Sequence, residues 1–83
     1  MLFRSPLRQW RSPRTQASYP VELKLKVDQQ EWRLRPLQDD QELDSRQSTG
    51  AVYWEGAVTL ERNGRLDGRG YLEMTGYVKP LKL

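Results

Sequence analysis

The dipeptide Asn63-Gly64 constrains this chain more than any other feature. Both central residues of a two-residue type I′ turn need positive φ, and Asn followed by Gly reaches that region at the lowest steric cost. Strand formers flank it. Tyr53-Trp54-Glu55-Gly56-Ala57-Val58 leads in, and Gly68-Arg69-Gly70-Tyr71-Leu72-Glu73-Met74-Thr75-Gly76-Tyr77 leads out. The pattern predicts an antiparallel hairpin. A strict two-residue loop would set Arg62 against Arg65 and Trp54 against Glu73, placing apolar residues of one strand beside polar residues of the other. A one-residue bulge corrects the parity, and Gly68 and Gly70 are its expected place because a bulge favours glycine at positive φ. With the bulge, Trp54 and Val58 share a face with Leu72 and Met74, while Tyr53 and Glu55 share the opposite face with Tyr71 and Glu73.

Upstream, Tyr19, Val21, Leu23, Leu25 and Val27 alternate with Glu22, Lys24 and Lys26, the period of a half-buried antiparallel strand. Asp28-Gln29-Gln30-Glu31 supplies a polar turn. Trp32 and Leu34 alternate with Arg33 and Arg35 in a shorter strand that Pro36 ends. Residues 38–48 read as a connecting loop with one helical turn. The last strand is expected to reach Val78, with Tyr77 on the face of Tyr71 and Glu73, and Pro80 with the closing Leu81-Lys82-Leu83 is expected to fray. Residues 1–18 form a basic extended N-terminal segment with only short strand pairing, and residues 19–83 form the sheet. The fold class is therefore all-β: an antiparallel meander of about four strands with two free edges, the shape of half an up-and-down barrel.

At 83 residues the chain fits one small domain, which buries only about 60% of its unfolded surface. Cysteine is absent, so no disulfide reinforces it. Histidine is absent as well, which removes the usual general base and the commonest transition-metal ligand. No apolar run is long enough to span a bilayer as a helix. The net charge of +3 is concentrated at the start, where Arg4, Arg8, Arg11 and Arg14 stand without an acid. That segment reads as a solvated lead-in, a transit-peptide-like stretch or a nucleic-acid arm, and it lacks the apolar h-region of a secretory signal.

Tyr53, Glu55, Tyr71 and Glu73 are the candidate chemical constellation, with Trp54 and Tyr77 as further ligand-lining rings. A carboxylate among aromatic rings can act as an acid, and the ring faces stabilise positive charge. Glu73 is the first candidate acid and Glu55 the second. The competing reading is an ordinary solvated sheet face with cross-strand pairs. Asp39, Asp40, Glu42 and Asp44 lack the spacing and glycine of a calcium loop and read as a charged loop. Gly64, Gly68 and Gly70 are not followed by the helix and Lys-Ser/Thr of a phosphate loop. Arg33 and Arg35 beside Trp32 offer a weak basic, aromatic nucleic-acid surface, with Asp28 and Glu31 next to them. No metal or cofactor is expected.

Taken in order, Trp10-Arg11-Ser12-Pro13-Arg14-Thr15 with Tyr19-Pro20, Asp40-Gln41-Glu42-Leu43, Tyr53-Trp54-Glu55-Gly56-Ala57-Val58 and the run from Gly68 to Tyr77 resemble the C-terminal part of the lipocalin-like secreted hydrolase (AttH-type) family, related to carotenoid 1,2-hydratases (hydroxyneurosporene synthases). The resemblance implies two lipocalin-like barrel halves in members several times longer, with this chain as the last strands of the second half, a partial lipocalin-like barrel. It implies a periplasmic or secreted setting and polyene hydration or hydrolysis, chemistry that the acids read from the residues, Glu73 or Glu55, would suit. The family's Trp-x-Asp-His-Glu-type motif has no counterpart here, so catalysis by this chain alone is not expected. The expected partners are an apolar small molecule and either a second copy or the missing barrel half. Neither nucleic acid nor a transmembrane segment is expected.

Overall fold

The computed structural model describes residues 2–48 and 50–77, and the expectations for Val78, Pro80 and the last three residues lie outside them. Six antiparallel strands form one sheet: β1 (Leu2–Arg11), β2 (Ser18–Val27), β3 (Gln30–Pro36), β4 (Glu42–Ser45), β5 (Ala51–Arg62) and β6 (Arg65–Thr75). β3 and β4 lie end to end along one side of β5, β3 against residues 58–61 and β4 against residues 51–54. β6 runs along the other side of β5. The sheet is thus a sequential meander whose outer strands are β1 and β6.

The alternation read from the sequence sets the faces. Tyr19, Val21 and Leu23 of β2, Leu34 of β3, Trp54 and Val58 of β5, and Leu72 and Met74 of β6 lie on one side. Tyr19, Val21 and Trp54 are completely buried there. Contact between β2 and β5 residues in a single cluster requires the sheet to curl around them. The opposite face carries Glu22, Lys24, Arg33, Arg35, Glu55, Glu61 and Glu73.

The hairpin closes as expected, with Asn63 at φ 53°, Gly64 at φ 76° and Arg62 opposite Arg65. One extra residue restores the parity, so that Trp54 faces Met74 and Glu55 faces Glu73. That residue is Asp67, left unpaired where Leu60 faces Gly68 and Glu61 faces Leu66. Gly68 and Gly70 do not have positive φ, so the bulge beside them does not draw on a left-handed glycine. A Cβ at Gly70 would lie 3.5 Å from Val58, an ordinary contact.

Three local expectations change. Residues 42–45 are a strand, with no helical turn in the segment, because β5 extends past β3 and leaves backbone groups for β4 to pair. Residues 2–11 pair with β2 along their length, with irregularities around Arg8. Tyr77 is on the core side, its ring 5.5 Å from that of Tyr19, because β6 ends at Thr75 and left-handed Gly76 (φ 84°) resets the alternation.

Closure is incomplete. The radius of gyration is 14.2 Å, against about 12 Å for a compact domain of this length. The chain exposes 6348 Å², roughly 1,000 Å² more than a folded monomer of its mass.

Deleting Asp67 should move Leu72 and Met74 to the charged face, each losing about 1.5–3 kcal/mol of burial. Thermal melts should lose their cooperative transition in the deletion and keep it in Asp67→Ala. A deletion variant as stable as the parent would refute the role given to the bulge.

Candidate functional site

Of the clefts and clusters among the described residues, two bear on the expectations above. The first is a cleft of about 180 Å³ on the core side, lined by Arg4 and Pro6 of β1, Pro20 and Leu23 of β2, Leu72 and Met74 of β6, and Tyr77. It lies between the two edge strands. Its walls are mostly apolar, with one guanidinium contributed by Arg4.

The second is the constellation singled out in the sequence. Tyr53, Glu55, Tyr71 and Glu73 do share one face, with Glu55 directly opposite Glu73 and Ala57 opposite Tyr71. It is the face away from the core. Tyr71 is 68% exposed and Glu73 is exposed, whereas Tyr53 and Glu55 are half-buried. Partial burial and the neighbouring Glu55 and Glu73 carboxylates push the Tyr71 phenol above its ordinary value. Trp54 and Tyr77, grouped with these residues as ligand-lining, are on the other side. Trp54 is fully buried, with its Nε1–H donated to the Asp39 carbonyl at 2.7 Å, and Tyr77 borders the cleft.

A third cluster escaped the sequence reading. The Glu42 side chain is fully buried. It accepts hydrogen bonds from Ser12 Oγ (2.6 Å), Thr15 Oγ1 (2.7 Å) and Tyr19 Oη (2.7 Å), with Arg14 at 3.4 Å. Ser12 Oγ also accepts from the amides of Arg14 and Thr15, so the turn that joins β1 to β2 is wound around the carboxylate. Burial by itself would raise the pKa of Glu42. The hydroxyl donors and Arg14 outweigh it and hold the carboxyl below the usual glutamate range. The same hydrogen bond and burial push the Tyr19 phenol well up.

The acids around Glu42 are equally engaged. Arg8 donates two parallel bonds to Asp39 (2.7 and 2.8 Å) and a third from Nε to Glu22 (2.9 Å). Arg33 reaches Glu22 from the other side at 2.6 Å. Arg14 pairs with Asp40 at 2.5 Å. Gln41 lays its amide over Gly56 and donates to the carbonyls of Gln38 and Ala57. A Cβ at Gly56 would fall 1.8 Å from the Gln41 Oε1, so glycine is what admits this contact. The available signal was the complementarity of an acid-free start and an acid-rich stretch at residues 39–44.

Glu42 has its folded-state pKa depressed, so it stabilises the fold in full at neutral pH and loses that effect as pH falls below the ordinary glutamate range. Glu42→Ala should cost about 3 kcal/mol at pH 7, since it strands the buried donors Ser12 and Tyr19 and the half-buried Thr15. Urea unfolding at pH 7 and pH 3 checks both points: the gap between parent and Glu42→Gln should narrow in acid. A gap unchanged with pH would contradict the assignment.

The AttH-like family matches residues 2–77. The crystal structure of a protein from Nitrosomonas europaea, described as an AttH, is 59% identical and superposes with a TM-score of 0.87. The match covers 94% of this chain but 24% of that one, so the chain spans about a quarter of its length. No curated protein matches. No helix among the described residues is long and apolar enough to cross a membrane. The match across nearly all of the sheet, Ser12, Glu42 and Trp54 included, makes the chain a member of the AttH-like family.

Proposed function

We propose that this chain forms one wall of a lipocalin-like barrel and takes an apolar, carboxylate-bearing ligand on its core side. The observation that carries this reading is the cleft between β1 and β6, with Leu23, Leu72, Met74 and Tyr77 as walls and Arg4 at the lip. Its volume of about 180 Å³ falls short of the roughly 300–1,000 Å³ of a complete small-molecule pocket. A wall completed by further strands would make up the difference, in keeping with a chain that spans 24% of its relative.

The alternatives draw less support. Hydration of a polyene or hydrolysis of an ester by Glu73 or Glu55 needs those acids beside the ligand, and they lie on the face opposite the cleft. A nucleic-acid role needs free cations, and Arg8, Arg14 and Arg33 are held by Asp39, Asp40, Glu42 and Glu22.

Titration of the purified chain with cis-parinaric acid, a fluorescent polyene fatty acid, tests the proposal. Saturable binding is expected, at least tenfold weaker in Leu72→Glu and unchanged in Tyr53→Ala on the other face. Arg4→Glu should weaken binding of the acid but leave that of retinol, which has no charge. Absence of saturable binding, or binding indifferent to Leu72→Glu, would overturn it.

A further inference from the structure

The two edges of the sheet differ in how well they are protected against another strand. β1 contains Pro6, which has no amide hydrogen, and its pairing with β2 is irregular between Pro6 and Gln9. Proline and bulges are standard protections of an edge. β6 has neither from Gly68 to Thr75, and that stretch pairs only with β5 among the described strands. Leu66 is 63% exposed and Tyr71 68%, so the same strand presents apolar surface to solvent.

The side chains of β6 say what would dock there. Across the hairpin, Glu55 stands directly opposite Glu73, a like-charge pair that destabilises a sheet unless a cation is near. Neither glutamate takes part in an ion pair among the described residues, and nor does Arg69. Arg69 and Glu73 lie two residues either side of Tyr71, on the same face. This order is self-complementary under antiparallel pairing, the relation that a two-fold axis requires.

We propose that two copies of this chain associate edge to edge through β6, antiparallel and in a register centred on Tyr71. Arg69 then faces Glu73 of the second copy, and Glu73 faces the second copy's Arg69. The two Tyr71 rings meet at the axis. On the core side Leu72 comes opposite Gly70 of the second copy, where the missing side chain leaves room for it. The pairing satisfies the open backbone groups of β6, brings a cation to each Glu55–Glu73 pair and covers part of the surplus exposed surface. It uses the edge and the outer face of β6, and on the core side it meets the ligand cleft at Leu72.

Sedimentation of the 83-residue chain should show a dimer. Arg69→Glu and Glu73→Arg should each weaken self-association at least tenfold, and the double reversal should restore it. The chain has no cysteine, so Tyr71→Cys introduces a single thiol. Mild oxidation should link two copies through it, whereas Thr75→Cys, placed opposite Asp67 of the second copy, should stay unlinked. A monomer at all concentrations, a dimer indifferent to both single reversals, or a double reversal that fails to restore it would overturn the proposal.

Discussion

The fold depends on a charge exchange between its beginning and its middle. The first strand has cations and no acids, and the segment before β4 has acids that its own strand does not neutralise. Arg8 and Arg14 reach across to Asp39, Asp40 and Glu42, and Glu22 sits between Arg8 and Arg33. The contacts differ in weight. Half-exposed pairs such as Arg14–Asp40 are screened by solvent and contribute little. Glu42 counts for more, because three hydroxyl donors and a nearby guanidinium compensate a fully buried carboxylate, and such charge-assisted bonds are roughly twice as strong as neutral ones. One side chain thereby joins the β1–β2 turn, the core tyrosine of β2 and the start of β4.

This tie also shapes what the molecule offers a partner. Arg8 and Arg14 are neutralised internally, which leaves Arg4, at the cleft, as a cation open to a ligand. Curling brings the edge strands β1 and β6 to either side of an apolar cleft without pairing them. The sheet is therefore sided in two senses. Its inner face is apolar and open between the edges, and its outer face is charged, with an aromatic and acidic group on the last hairpin. The ligand reading uses the first, and the self-association reading uses the second together with the β6 edge.

Much of this was legible in the residues. The alternation from Tyr19 to Val27, the Asn-Gly turn and the parity conflict across it determined three strands, their faces and the need for one extra residue, because period 2 leaves no freedom once one face is apolar. β4 was hidden because its four residues are polar and form a strand only against the overhang of β5. β1 was hidden because its arginines suggest solvent, and the acids that hold Arg8 (Glu22 and Asp39) are not adjacent to it in the sequence. Tyr77 crossed to the core because one left-handed glycine shifted the alternation. The Glu42 cluster escaped for the same reason as β1: its members are separated by 23 to 30 residues along the chain, and spacing alone carries no sign of their meeting.

Amide hydrogen exchange across β1, followed residue by residue in solution, tests most directly whether the arginine-rich start is a fastened strand. The account requires the β1 amides that donate to β2 to be protected to a degree comparable with those β2 donates in return. Random-coil exchange throughout residues 2–11, with β2, β3 and β5 still protected, would contradict it.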